Sequence, residues 1–155
     1  MDICFLRTEN IIDKSLTLFY ESVNDMTKKE FYLKWLERFA VGIPVKDVKK
    51  YVVSTGDYLW HIFSWELIDK KAVLVGDNAR SAYNKIDKRG AIYIRWFEDE
   101  KTHDITWDLN SAKALDEMVE VYVVASDFSW TYMKTHEGMC GPYFMKLDHK
   151  LYNVL

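Results

Sequence analysis

Residues 121–125 read Val-Tyr-Val-Val-Ala and residues 128–133 read Phe-Ser-Trp-Thr-Tyr-Met, with only Ser126 and Asp127 between them. Both runs are rich in the β-branched and aromatic side chains that suit a pleated, half-buried surface. A parallel pair needs a crossover of a dozen or more residues, so a link this short leaves only an antiparallel hairpin. Phe128, Trp130 and Tyr132 alternate with Ser129, Thr131 and Met133 in its second arm. Whatever else the chain forms, it must contain antiparallel sheet.

The rest of the chain surrounds that hairpin with helices. Ile12, Leu16, Phe19, Tyr20 and Val23 recur at helical spacing, which predicts a helix over 9–23. Thr27 and Glu30 have capping-box spacing, and Phe31, Trp35, Leu36 and Phe39 fall on one face of a helix over 28–40. Gly42 stops that helix and Pro44 opens a short third one, where its missing amide costs nothing. The run Tyr58-Leu59-Trp60-His61-Ile62-Phe63-Ser64-Trp65 is apolar on both sides and predicts a central strand. A short strand is expected over 72–75. Asp77 or Asn78 caps a helix reaching Ile86, with Ala79, Ala82, Tyr83 and Ile86 inward. A strand follows over 91–97. Asn110 or Ser111 then caps a helix that turns Ala112, Leu115 and Val119 inward, and a last strand begins at Pro142. The expected architecture is a single α+β domain over 1–155, a mostly antiparallel sheet of four or five strands with helices packed on it.

Charge and composition narrow the function. The 21 basic residues are interspersed among 24 acidic ones, for a net charge of -3. Phosphate recognition wants a basic face, so nucleic acid is not an expected partner. Nothing has the length of an apolar membrane span, and the first ten residues lack the apolar core of a signal peptide. With only Cys4 and Cys140, the expectation is free thiols in a reducing cytoplasm. The chain has no Gly-rich phosphate loop, no Gly-x-Ser-x-Gly elbow and no paired CxxC motif, and no cofactor or metal is expected. Aromatic residues reach 15%, with six Trp and ten Tyr. That excess means a packed aromatic core or an exposed binding surface, and the core is the default.

Candidate chemistry gathers near the C-terminal end. Cys140 would serve as a nucleophile if His61 or His136 lowered its pKa and Asp127 or Glu137 oriented that base. Its ordinary alternative is a small buried hydrophobe. Glu137 with His136 or His61 would make an acid–base pair if a cleft brought the 58–65 strand beside the 134–141 loop. His61, in the middle of an apolar run, also reads as a core histidine. His136 and Cys140 have the four-residue spacing of helical metal ligands, but Gly138 and Gly141-Pro142 oppose a helix there. Trp60, Asp127, Trp130 and Tyr132 are the candidate binding residues of an aromatic surface, with Trp65, Trp96 and Trp107 also on or near the expected strands.

Asp127-Phe-Ser-Trp-Thr-Tyr-Met-Lys-Thr-His-Glu137, Cys140-Gly-Pro-Tyr-Phe144 and Leu59-Trp-His-Ile-Phe-Ser64 together resemble a bacterial family, domain of unknown function family 4275. The resemblance includes the Trp35 helix with Phe39 and spans about 32–145. It implies a small cytosolic bacterial protein of Bacillus-like background, and it implies no reaction. The leading expectation is a binding or regulatory module acting on a protein partner or a second copy. The alternative is a small hydrolase-like enzyme using His61, His136, Glu137 and Cys140. Both require the segment around Trp60 to lie beside the 129–144 region.

Overall fold

The computed structural model describes residues 25–147. The helix expected over 9–23 lies outside them. Helix α1 (Lys28–Phe39) begins where Thr27 Oγ1 accepts the Glu30 amide at 3.1 Å. This is the hydroxyl half of the capping box; among the described residues Glu30 returns no bond. Its Phe31, Trp35 and Phe39 are buried, as their spacing requires. Two backbone bonds tie the start of α1 to the 100–102 turn, Lys28 N to Glu100 O and Thr102 N to Met26 O, both 2.8 Å. Helix α2 (Val45–Tyr51) follows Pro44 as expected.

The sheet has six strands, β1 (Val73–Val75), β2 (Ile92–Arg95), β3 (His103–Asp104), β4 (Val121–Val124), β5 (Trp130–Lys134) and β6 (Tyr143–Lys146), in the order β1-β6-β5-β4-β2-β3. Every pair is antiparallel. The expected hairpin is β4–β5, with Val121 opposite Lys134 and Val124 opposite Thr131. The expectation of four or five strands falls short because β3 is two exposed residues long, too short to leave an alternating pattern.

Both faces of this sheet are covered, which is why β4 reads as an apolar run rather than as alternation. Ile92, Ile94, Tyr122, Val124 and Met133 face α1. Val121, Val123, Tyr132 and Phe144 face the other way, against Ala79 and Tyr83 of α4 (Asp77–Lys85) and Ala112 and Leu115 of α5 (Ala112–Asp116). Trp35 is pinned to the first face by its indole N–H, which donates to Thr131 Oγ1 at 3.0 Å. The Thr131 hydroxyl donates in turn to Val123 O at 3.2 Å.

Three local expectations are corrected. The run 58–65 is not a strand: Tyr58–Trp60 form a turn and His61–Ser64 a single helical turn, numbered α3. A short apolar run cannot be assigned by periodicity when most of its side chains are buried. Here Gly56 and Asp57 at φ 111° and 62° reverse the chain, and Leu59, Ile62 and Phe63 then meet the core at helical spacing. Val119 is exposed, because α5 ends at Asp116 before a third inward position is reached. Phe128 does not share a face with Trp130. It sits in the hairpin turn at φ 56°, and its ring enters the α1 core while Trp130 enters the α4 core. A smaller difference lies at α4, where the cap position holds Gly76 rather than Asp77 or Asn78.

Candidate functional site

The centre of the site is a residue that the sequence reading did not single out. Glu120 immediately precedes β4, and the register that sets Val121 opposite Lys134 carries His136, two residues past β5, to its side. The Glu120 side chain has no solvent exposure. It accepts from Trp60 Nε1 at 2.9 Å, Tyr122 Oη at 2.6 Å, His136 N at 3.2 Å and His136 Nδ1 at 2.8 Å. A buried carboxylate costs several kcal/mol unless it is compensated, and four donors supply the compensation. Burial, and after it the charge of Glu120 and the bond to it, hold the Tyr122 phenol well above its ordinary pKa, so the phenol stays protonated.

An ionised carboxylate only accepts hydrogen bonds, so the imidazole nitrogen facing it carries a proton. Glu120 therefore fixes Nδ1 of His136 as the donor and leaves Nε2 uncommitted. Nε2 lies 3.4 Å from Glu137 Oε1, beyond a good hydrogen bond, and the two form an ion pair only when the ring carries a proton on both nitrogens. The His136 side chain keeps 26% of its surface exposed. Aromatic rings wall it, with centroids at 4.9 Å for Tyr58, 5.4 Å for Phe97 and 5.8 Å for Trp60.

Tyr58 also contacts His61, at 5.6 Å between centroids, so the two histidines named from sequence share a neighbour. His61 is not a core histidine of a strand. Its Nδ1 lies 2.9 Å from Tyr51 O and 2.8 Å from Thr55 Oγ1, which places the proton on Nδ1 and fastens α3 to the end of α2. Tyr51 continues the line to Trp65, at 5.2 Å. The result is a strip running Trp65, Tyr51, His61, Tyr58, Phe97, His136. Trp65 at one end is 56% exposed, and Phe97, next to the His136 end, is 53% exposed.

Below His136 the chain forms a tight loop. Thr135 Oγ1 donates to Glu137 O at 3.0 Å and Cys140 O at 2.5 Å. Gly141 sits at φ 82°, where an added Cβ would stand 3.1 Å from the Tyr143 ring, so the position requires glycine. The half-buried Cys140 thiol neighbours Tyr143. Burial, and then this thiol, push the Tyr143 phenol up to about 12. Among the described residues no hydrogen bond joins Cys140 to His61 or His136, and no group of three or more His, Cys, Asp or Glu could hold a metal. A cleft of about 290 Å³ opens over this loop, lined by Arg80, Asp116, Lys134, His136, Glu137 and Cys140 among others.

The other residues named from sequence lie elsewhere. Trp60 is buried and serves the centre through its indole N–H. Asp127 is in the hairpin turn, where its Oδ1 accepts the Ser129 amide at 3.0 Å. Trp130 and Tyr132 are buried on the far side of the sheet, with Tyr83 4.5 Å from Tyr132 between centroids. A family model described as a domain of unknown function (DUF4275) matches residues 11–144. The chain belongs to that family. No curated protein and no solved structure matches it. The matched span of this DUF4275 chain contains all of Tyr58, Trp60, Phe97, Glu120 and His136, so the centre lies within the family region. No helix among the described residues is long and apolar enough to cross a membrane.

Proposed function

We propose that this DUF4275 domain is a binding module that engages a protein partner through the aromatic strip from Trp65 to Phe97. The observation that carries this reading is the exposure of two large aromatic side chains, Trp65 and Phe97, on a strip whose ring pairs are joined through the Tyr51 carbonyl and His61. Trp and Tyr are enriched at the anchoring centres of protein interfaces, because they bury a large area at low cost in rotamer freedom. The strip also contains one polar group held in place, His136, whose orientation Glu120 sets before any partner arrives. Preorganised groups lose little freedom on binding.

The test uses two truncations on the exposed rings, Trp65→Ala and Phe97→Ala, combined in one chain. Both side chains are half in solvent, so the variant keeps its melting temperature to within a few degrees. Cross-linking in the source cell followed by purification recovers a stoichiometric partner with the wild-type chain. Removing two anchors of ~2 kcal/mol each reduces binding of the purified partner by about 10³-fold. A second copy of the chain as partner would appear as a wild-type dimer in sedimentation that the double variant loses. Binding that the double variant retains in full would overturn the assignment.

A further inference from the structure

We infer that His136, oriented by Glu120, is the general base of a hydrolytic site for small carboxylic esters that carry one negative charge, bound in the cleft that His136 and Arg80 both line. Three observations converge on this. Glu120 has no exposed surface and spends two of its four hydrogen bonds on His136, through N and Nδ1, which fixes the tautomer and orientation of the ring. Nε2 is then the basic nitrogen, on a partly exposed side chain in the wall of a cleft of about 290 Å³. A buried carboxylate behind an imidazole is the arrangement that holds a histidine ready to accept a proton and stabilises it once it has done so.

The cleft also specifies its substrate. Arg80 gives Nε to Asp116, at 3.1 and 3.3 Å, and Nη1 to Asp77 at 2.9 Å. Among the described residues its Nη2 has no acceptor, which leaves two fixed donors for a carboxylate. Lys134 stands in the same wall, its ammonium held by Met118 O at 2.6 Å and Val119 O at 3.0 Å. Against these two cations stand Asp116 and Glu137 in the lining and Asp77 on Arg80, so the wall has no positive surplus and any further anion must be held by the Arg80 Nη2 donors. A monoanion suits that balance better than a phosphate ester with two charges. The volume is near the lower limit for small-molecule sites, which restricts the substrate to a few carbons on either side of the ester.

The step balances without any further reactant than water. His136 Nε2 takes a proton from a water molecule as the water oxygen bonds to the ester carbonyl carbon. The tetrahedral intermediate then breaks its bond to the leaving oxygen, which receives the proton from Nε2. The products are an acid and an alcohol, and the imidazole returns to its starting state. Cys140 takes no part, since among the described residues no hydrogen bond joins its thiol to His61 or His136. Glu120 is a positioning residue that acts through His136.

The test compares 4-nitrophenyl hydrogen succinate, an ester with one carboxylate, with neutral 4-nitrophenyl acetate. The wild-type chain is expected to favour the succinate ester at least tenfold in kcat/KM. His136→Asn keeps an amide donor for Glu120 and loses the base, so kcat falls by about 10²-fold or more. Arg80→Ala raises KM for the succinate ester about tenfold and lowers the preference for succinate over acetate by a similar factor. Glu120→Gln lowers kcat and alters the pH profile without moving KM, an effect that loss of packing alone would not give. Equal rates for wild type and His136→Asn would overturn the inference, as would an unchanged KM in Arg80→Ala. Trp65 lies outside this cleft and away from His136, whereas Phe97 packs against it, so Trp65→Ala alone separates loss of partner binding from loss of hydrolysis.

Discussion

Glu120 shows how a residue with no distinguishing sequence context acquires its role from its neighbours. In the sequence it is one of several acids between a helix and a strand, and nothing in its spacing marks it as buried. The structure gives it Trp60 Nε1, Tyr122 Oη and two nitrogens of His136. Replacing it with alanine removes one acceptor and strands several buried donors, and a buried donor without a partner costs about 1–3 kcal/mol. Glu120→Ala is therefore expected to lose about 3–5 kcal/mol, read as a lower urea midpoint at unchanged slope. A loss below about 1 kcal/mol would show that the carboxylate does not hold these groups. His136 was legible as a candidate because it is a titratable residue in a polar C-terminal segment. Its partner was not, because hydrogen bonding across 16 positions is a property of the hairpin register, and Trp60 reaches the same carboxylate from 60 positions away.

Among the elements, those with a strong period or a strict turn constraint were legible. Helix α1 carries Phe31, Trp35 and Phe39 at helical spacing behind a Thr27 cap, and it forms within a residue of the expected boundaries. Its cap makes a clean test: Thr27→Ala leaves the core untouched and orphans the Glu30 amide, so it is expected to lose about 1 kcal/mol in thermal or urea unfolding. No measurable loss would mean that the bonds from Glu100 and Met26 already fix the start of the helix. The β4–β5 hairpin was equally legible, since two intervening residues permit no other pairing. The run 58–65 was not. Its side chains are apolar all round, so period two and period 3.6 fit alike, and the left-handed turn at Gly56 and Asp57 decides in favour of α3. That difference leaves the site in place, because Trp60 reaches Glu120 from a turn as well as it would from a strand.

At the scale of the molecule, one sheet serves two cores. Tyr122 and Met133 pack against α1 while Val121, Val123 and Tyr132 pack against α4 and α5, so adjacent residues of the same strand belong to opposite sides. Neither core can open without exposing the strands that close the other. The chain is therefore expected to unfold in a single transition, with far-ultraviolet and near-ultraviolet circular dichroism superimposing at every urea concentration. Two resolved transitions would mean that the α4–α5 layer detaches alone. The sequence by itself determined an antiparallel hairpin, a capped amphipathic helix and an α+β class, because turn length, helical period and side-chain shape act between residues close along the chain. Only the tertiary structure decided that Glu120 meets His136, that Trp60 leaves the sheet for a turn, and that Trp130 and Tyr132 face the α4–α5 layer rather than Glu120. Those outcomes depend on strand register and on which face of the sheet each layer covers, and both are set by contacts between residues far apart in sequence.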